Sequence, residues 1–190
     1  MSEQLFRWAQ AGDLDAFEKL VDVYKEPILN YVYRLIGNYH DAEEVTQETF
    51  VRLFRSIGSI RIEGHTKAWL YRVAGNLAKD RLRYWRRRSD VHVELLRPEE
   101  RDGGKTSVEC VAPHAEEPDR LVIEGEFEER LQRAIMQLPM KLRRVLILRE
   151  IEGFSGKEVG ELLQCRENAV HVRLNRAHKK LREILKREYP

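Results

Sequence analysis

Between Ser89 and Asp119 the chain loses every helical or strand-like periodicity, and this interruption constrains the fold more than any other feature. The stretch carries Pro98, Pro113, Pro118 and the Gly103-Gly104 pair, and from Ser89 to Glu128 twelve acidic residues stand against four basic ones. Such a segment buries too little apolar surface to offset the entropy of ordering its backbone. A chain of 190 residues divided there is expected to form two small domains rather than one.

On either side of the break the apolar residues recur at helical spacing. Phe17, Leu20, Val21, Tyr24, Ile28, Tyr31, Val32 and Leu35 define one long amphipathic helix, stopped by Gly37 and Asn38. A second begins near Asp41, with Ala42, Val45, Phe50, Leu53, Phe54 and Ile57 on its apolar stripe, and ends at Gly58. Gly58 to Gly64 reads as a loop, after which Trp69, Leu70, Val73, Ala74 and Leu77 resume the pattern. This third helix turns basic toward its end, where Lys79, Arg81, Arg83, Arg86, Arg87 and Arg88 surround Tyr84 and Trp85. Beyond the break, helical spacing runs from Leu121 to Leu138, stops at Pro139 and resumes with Leu142, Val145, Leu146 and Leu148. The expected class is therefore all-α: two small helical domains, 1–88 and 121–190, joined by a flexible acidic linker over 89–120.

Hydrophobic residues make up 42% of the chain and charged residues 35%, a soluble globular composition with a highly charged surface. No apolar run approaches the roughly 18 residues needed to span a bilayer, and Met1 to Gln10 lacks the basic and apolar regions of a secretory leader. A cytoplasmic location is expected, and Cys110 and Cys165 are expected to be free thiols. The net charge of +2 hides an alternation: Gly58 to Arg88 holds nine basic against two acidic residues, and Glu129 to Pro190 fifteen against eight. Two basic blocks flank one acidic block, the electrostatic footprint of a polyanion partner.

Ser155-Gly156-Lys157-Glu158 forms a capping box, so a helix should begin there with Val159, Leu162 and Leu163 on its apolar side. After a short break at Gln164 to Arg166, Val170, Leu174, Ala177 and Leu181 define another helix. Two short helices so tightly joined read as a helix-turn-helix. The second leaves His171, Arg173, Asn175, Arg176, His178, Lys179 and Lys180 off its stripe, a set rich in cations and hydrogen-bond donors. Such side chains attract phosphate and can read base edges in the major groove.

These residues resemble the extracytoplasmic-function group of bacterial RNA polymerase sigma factors, over nearly the whole chain apart from the linker. Gly12-Asp13, Ala16-Phe17 and Asp41-Ala42-Glu43-Glu44-Val45-Thr46-Gln47-Glu48-Thr49-Phe50 look like the group's polymerase-binding core. Trp69-Leu70-Tyr71-Arg72-Val73-Ala74, with Asn76 and Asp80, is similar to its helix for the melted minus-ten element. Leu138-Pro139, Arg144, Val145, Leu148-Arg149, Gly153-Phe154-Ser155 and the Arg173 to Leu181 helix look like its minus-thirty-five domain.

The resemblance implies a specificity subunit that binds core RNA polymerase, directs it to promoters and helps open them. Polymerase binding falls to Glu43, Glu44, Gln47, Glu48 and Arg52. The minus-ten element falls to Ile60, Arg61, His65, Lys67, Trp69, Arg72, Asn76, Lys79 and Arg83, with the Trp69 ring itself expected in the core. The upstream element falls to Arg166, His171, Arg173, Asn175, Arg176 and Lys179. The group's usual control implies an anti-sigma partner as well as duplex and melted promoter DNA, without membrane insertion.

No cofactor or metal is expected. Cys110 and His114, with His92 upstream, lack the four closely spaced ligands of structural zinc. The sequence holds no Gly-rich phosphate loop, His-Glu zinc motif or nucleophile elbow, so catalysis by the chain is not expected. Two rivals remain at this point: a helix-turn-helix regulator that binds DNA without polymerase, and a nucleic-acid-processing enzyme, which would need a catalytic cluster.

Overall fold

The computed structural model describes the backbone of residues 2–60, 66–95 and 120–188, and the side chains of 3–60, 66–88 and 127–187. Among the described residues all regular structure is helical. Arg61, His65, Cys110, His114 and the linker over 96–119 lie outside them, as does the side chain of His92.

The first domain opens with α1 (Ser2–Gln10), a helix the apolar pattern does not announce. Nine residues form a marginal helix alone, and burial of Phe6 and Ala9 supplies the missing stability. The long helix expected from Phe17 is α2 (Leu14–Ile36), capped by Asp13, whose carboxylate accepts from the Ala16 amide at 3.0 Å. Gly37 ends it in the left-handed region, φ 79°, with its amide on the Tyr33 carbonyl at 2.7 Å. Asn38 then caps α3 (Tyr39–Ser56) by accepting from the Asp41 amide at 2.9 Å. One glycine and one asparagine thus end one helix and begin the next.

α3 runs into a 3-10 turn, Ile57–Ser59, at the start of the stretch read as loop. Gln10 fixes that turn from α1, donating to the Ile57 and Ile60 carbonyls, each at 2.9 Å. α4 (Thr66–Leu95) passes the expected boundary at residue 88, because no proline or glycine halts a helix before Pro98. Leu20, Ile28, Tyr31 and Leu35 of α2 meet Ala42 and Leu53 of α3 and Leu70, Ala74 and Ala78 of α4 in the core. Phe54, expected inside, is 54% exposed and touches Phe17 edge to face at 5.2 Å. Leu53 takes the inward place, since neighbouring helix residues diverge by about 100°.

The second domain comprises α5 (Arg120–Met136), α6 (Met140–Leu146), a π-helical turn Ile147–Ile151, α7 (Gly156–Leu163) and α8 (Glu167–Glu188). Pro139 separates α5 from α6, as expected. The wide turn, closed by the Glu152 amide on the Ile147 carbonyl at 3.0 Å, re-aims the chain so that Glu152 and Phe154 reach α4. The capping box is formed in both directions: Glu158 N–H donates to Ser155 Oγ at 3.2 Å, and Ser155 N–H donates to Glu158 Oε2 at 2.7 Å. Ser155→Ala removes half of it and is expected to lower the stability of this domain by about 0.5–2 kcal/mol, read by urea unfolding. An unchanged midpoint would show that the cap is dispensable.

The two domains are packed together, α4 against α7 and α2 against α5 and α6. Their buried residues form one continuous apolar set.

Candidate nucleic-acid interface

α7 turns into α8 through Gln164, a left-handed residue at φ 52°, whose amide closes on Glu161 and Gly160. Gly160 permits this tight return, because a Cβ there would lie 2.8 Å from the Cys165 carbonyl oxygen. Val159 and Leu162 of α7 and Val170, Leu174 and Ala177 of α8 are buried, so the opposite side of α8 faces solvent.

Arg166, His171, Asn175, Arg176 and Lys179 are all exposed there. Arg173 is different. It lies beside Leu174 on the flank of the stripe, is half-buried, and donates to Cys165 Sγ at 3.3 Å across the turn. The fold thus uses Arg173 to brace the helix-turn-helix and leaves Arg166 and Arg176 outward. Val172 and Asn168, which the basic pattern did not single out, also face outward, with Val172 48% exposed. A valine two positions from buried Val170 could have been placed by the helical period, and an exposed methyl pair suits contact with a thymine methyl.

On α4, Arg72, Lys79 and Arg83 are exposed, with Arg83 paired to Asp80 at 3.4 Å. Trp69 is partly buried against the core, as expected for its ring. Ile60 is partly buried, and its carbonyl is held by Gln10. Lys67 and Asn76 are exposed yet touch the second domain: Lys67 Nζ donates to the Glu152 carbonyl at 3.2 Å, and Arg144 approaches Asn76 Oδ1 at 3.5 Å. At the far end, Tyr84 and Trp85 stand exposed in a T-shaped pair 6.0 Å apart, with Arg88 donating to the Tyr84 hydroxyl at 3.1 Å.

On α3, Glu43 and Gln47 are exposed, and Glu48 pairs with Arg52 at 2.8 Å. Glu44 is not a free docking charge. It pairs with Arg81 of α4 and with His40 at 3.3 Å, while Arg81 also holds the buried Asp41 at 3.2 Å. These ion pairs tie α3 to α4. Exposed Val51 and Phe54 extend the α3 surface with apolar area, although the helical period places Phe54 on the apolar stripe.

Among the described residues no cluster of three or more His, Cys, Asp or Glu could hold a metal. None of their helices is long and apolar enough to cross a membrane. Burial pushes the Glu152 carboxyl up, opposed by the Tyr71 hydrogen bond and by the charges of Lys67 and Arg34.

Residues 20–88 match the family Sigma-70 region 2, and residues 128–181 match Sigma-70, region 4. The ECF RNA polymerase sigma factor SigW of Bacillus subtilis is 33% identical over 186 residues, covering 98% of this chain and 97% of that protein. The chain belongs to the extracytoplasmic-function sigma factors. The RNA polymerase sigma-H factor of Pseudomonas aeruginosa is 34% identical over 186 residues, covering 96% of this chain and 93% of that protein. Among solved structures, the sigma factor RpoE of Bartonella quintana, in complex with the anti-sigma factor NepR, shares the fold. Its TM-score is 0.71 at 20% identity, covering 90% of this chain and 96% of that one. As a sigma factor the chain is a transcription initiation factor that directs RNA polymerase to promoters.

Proposed function

We propose that the outward side of α8 reads the minus-thirty-five element, with Arg176 and Asn175 at base edges and Arg166, His171 and Lys179 toward phosphate. The observation that carries this reading is the concentration of exposed cations and amides on the side of α8 opposite its buried stripe. Phosphate attraction supplies affinity, and amide and guanidinium groups supply discrimination. Arg173 acts indirectly, by bracing the turn through Cys165. α4 and the loop before it take the minus-ten element, with Arg72, Lys79 and Arg83 tracking the strand and Arg61 and His65 contributing from the loop. Capture of unstacked bases there favours the melted promoter. The functional units are 1–88 and 121–190 with an acidic connection between them.

Core polymerase docks on α3 through Glu43, Gln47, Glu48 and Arg52, and polymerase performs the chemistry. The chain itself catalyses nothing, needs no cofactor and acts in the cytoplasm under an anti-sigma partner. Glu43→Lys with Glu48→Lys is expected to weaken association with core polymerase about tenfold without loss of helicity. Unchanged affinity in a titration with labelled polymerase would exclude this face. Glu44→Lys, by contrast, is expected to reduce stability too, since it places a cation against Arg81.

The deciding experiment mixes the purified chain with core polymerase and a promoter library and sequences the transcripts. Promoter-directed transcripts that need both components support the reading. Sequence-specific DNA binding without any effect on polymerase would replace it with a conventional regulator.

A further inference from the structure

The last residue of α1 reaches the turn from which the chain enters its minus-ten region. Phe6, Ala9 and Gln10 stand at i, i+3 and i+4 on one side of the helix, so burial of Phe6 and Ala9 turns Gln10 inward with them. Gln10 Nε2 donates to the Ile57 carbonyl and to the Ile60 carbonyl, each at 2.9 Å, from 47 and 50 residues away in the chain. A primary amide nitrogen carries two hydrogens, and both are directed at this turn. Two carbonyl acceptors also fix which way the amide faces, since its oxygen could accept from neither.

The remaining polar contacts of the turn are local. Ile60 N–H donates to the Ile57 carbonyl at 3.3 Å, Ser59 Oγ to the Ser56 carbonyl at 2.8 Å and Ser56 Oγ to the Arg52 carbonyl at 2.6 Å. Such bonds keep the shape of the turn but not its place in the domain. Gly58 and Ser59 are exposed, and a Cβ at Gly58 would meet nothing within 4 Å. The place is held by the buried Ile57 side chain and by Gln10. At Ile60 the backbone becomes extended, φ −77° and ψ 124°, and α4 begins at the buried Thr66.

We infer that Gln10 is a positioning residue for promoter opening: by fixing the Ile57 and Ile60 carbonyls it sets where the chain enters its minus-ten region, without touching DNA itself. This rests on the assignment of Ile60 and α4 to the minus-ten element. Extruding a base from the duplex costs free energy, and any protein group that must be ordered at the moment of capture adds a conformational-entropy cost to the same step. Gln10 at Ile60 and burial at Thr66 pin the chain on either side of residues 61–65, so part of that cost is met on folding. Loss of the Gln10 pin therefore slows opening and leaves the first encounter with duplex DNA unchanged.

The test uses holoenzyme on a promoter recovered from the transcript library, with 2-aminopurine in its minus-ten element to report unstacking. Gln10→Met keeps the length and removes both donors, Gln10→Glu keeps the shape and presents only acceptors, and Gln10→Lys keeps a donor. Gln10→Met and Gln10→Glu are expected to slow opening about three- to tenfold, the scale of one ordinary hydrogen bond, with unchanged affinity for core polymerase and for the closed duplex. Gln10→Lys is expected to open the promoter at close to the wild-type rate. A packing role alone would survive in Gln10→Met, and a general loss of stability would lower polymerase affinity together with opening. Gln10→Glu carries the test if Gln10→Met loses helicity. Wild-type opening in a folded Gln10→Met or Gln10→Glu holoenzyme overturns the inference, as does an equal loss in Gln10→Lys or a matching loss of polymerase affinity. If the library yields no promoter that wild-type holoenzyme opens, the minus-ten reading falls and this inference with it, whereas an opening wild type with unchanged variants sinks the inference alone.

Discussion

Arg143→Ala lowers the unfolding free energy by about 2–4 kcal/mol, the largest loss expected from any single polar side chain of this protein. Arg143 is 7% exposed, and its guanidinium serves carbonyl groups from both domains. It donates to Leu35 O at 2.5 Å, near the end of α2, to Leu138 O at 3.0 Å, and to Met136 O at the end of α5. Helix ends leave carbonyls without intrahelical partners, and the helix dipole makes those ends negative. One cation therefore satisfies two helix termini at once. Burial holds its pKa down to about 10, with Arg86 adding a smaller push in the same direction, so it remains charged at neutral pH.

Truncation to alanine strands these carbonyls and removes a buried side chain from the packed interior. Lysine restores the charge without the planar fork that reaches several acceptors, so Arg143→Lys should recover only part of the loss. Arg133→Ala is the control: its ion pair with Glu129 is exposed and 3.8 Å long, and its loss should change stability by less than about 0.5 kcal/mol. Urea unfolding followed by far-ultraviolet dichroism reads all three. Equal midpoints for Arg143→Ala and Arg133→Ala would show that Arg143 does not hold these helix ends together.

Arg176→Ala is expected to cost about 1–3 kcal/mol of discrimination at a single base pair of the upstream element. The residue stands on the exposed side of α8, next to Asn175 and four positions after the outward Val172. Arg173, closer to the core and tied to Cys165, cannot substitute for it without freeing the turn. Holoenzyme affinities for the promoter and its single-base variants, measured at several salt concentrations, separate the two roles an outward arginine can play. Loss of a base contact relaxes one position. Loss of a phosphate contact weakens every sequence alike and flattens the salt dependence by about one. If neither affinity nor discrimination changes, α8 does not enter the groove with this face.

By itself the sequence determined the helices other than α1 and much of their punctuation. The Gly37-Asn38 stop, the Pro139 break and the Ser155-Glu158 capping box depend on groups within a few residues of one another, and the structure forms all three. The helix-turn-helix was legible for the same reason, since a 3.6-residue period separates buried Val170, Leu174 and Ala177 from the exposed cations of α8. What the sequence could not assign was the partner of each polar side chain. Whether Glu44 is a docking charge or the mate of Arg81, whether Phe54 packs inward, and whether Arg173 points at DNA or at Cys165 depend on neighbours brought together only by tertiary packing. The contact of Tyr71 with Glu152, 81 residues along the chain, and of Arg143 with Leu35, 108 residues away, left no local trace. Helical periodicity records which side of a helix is apolar, whereas the choice among apolar and polar surfaces that can cover it is made by the packing of the whole chain.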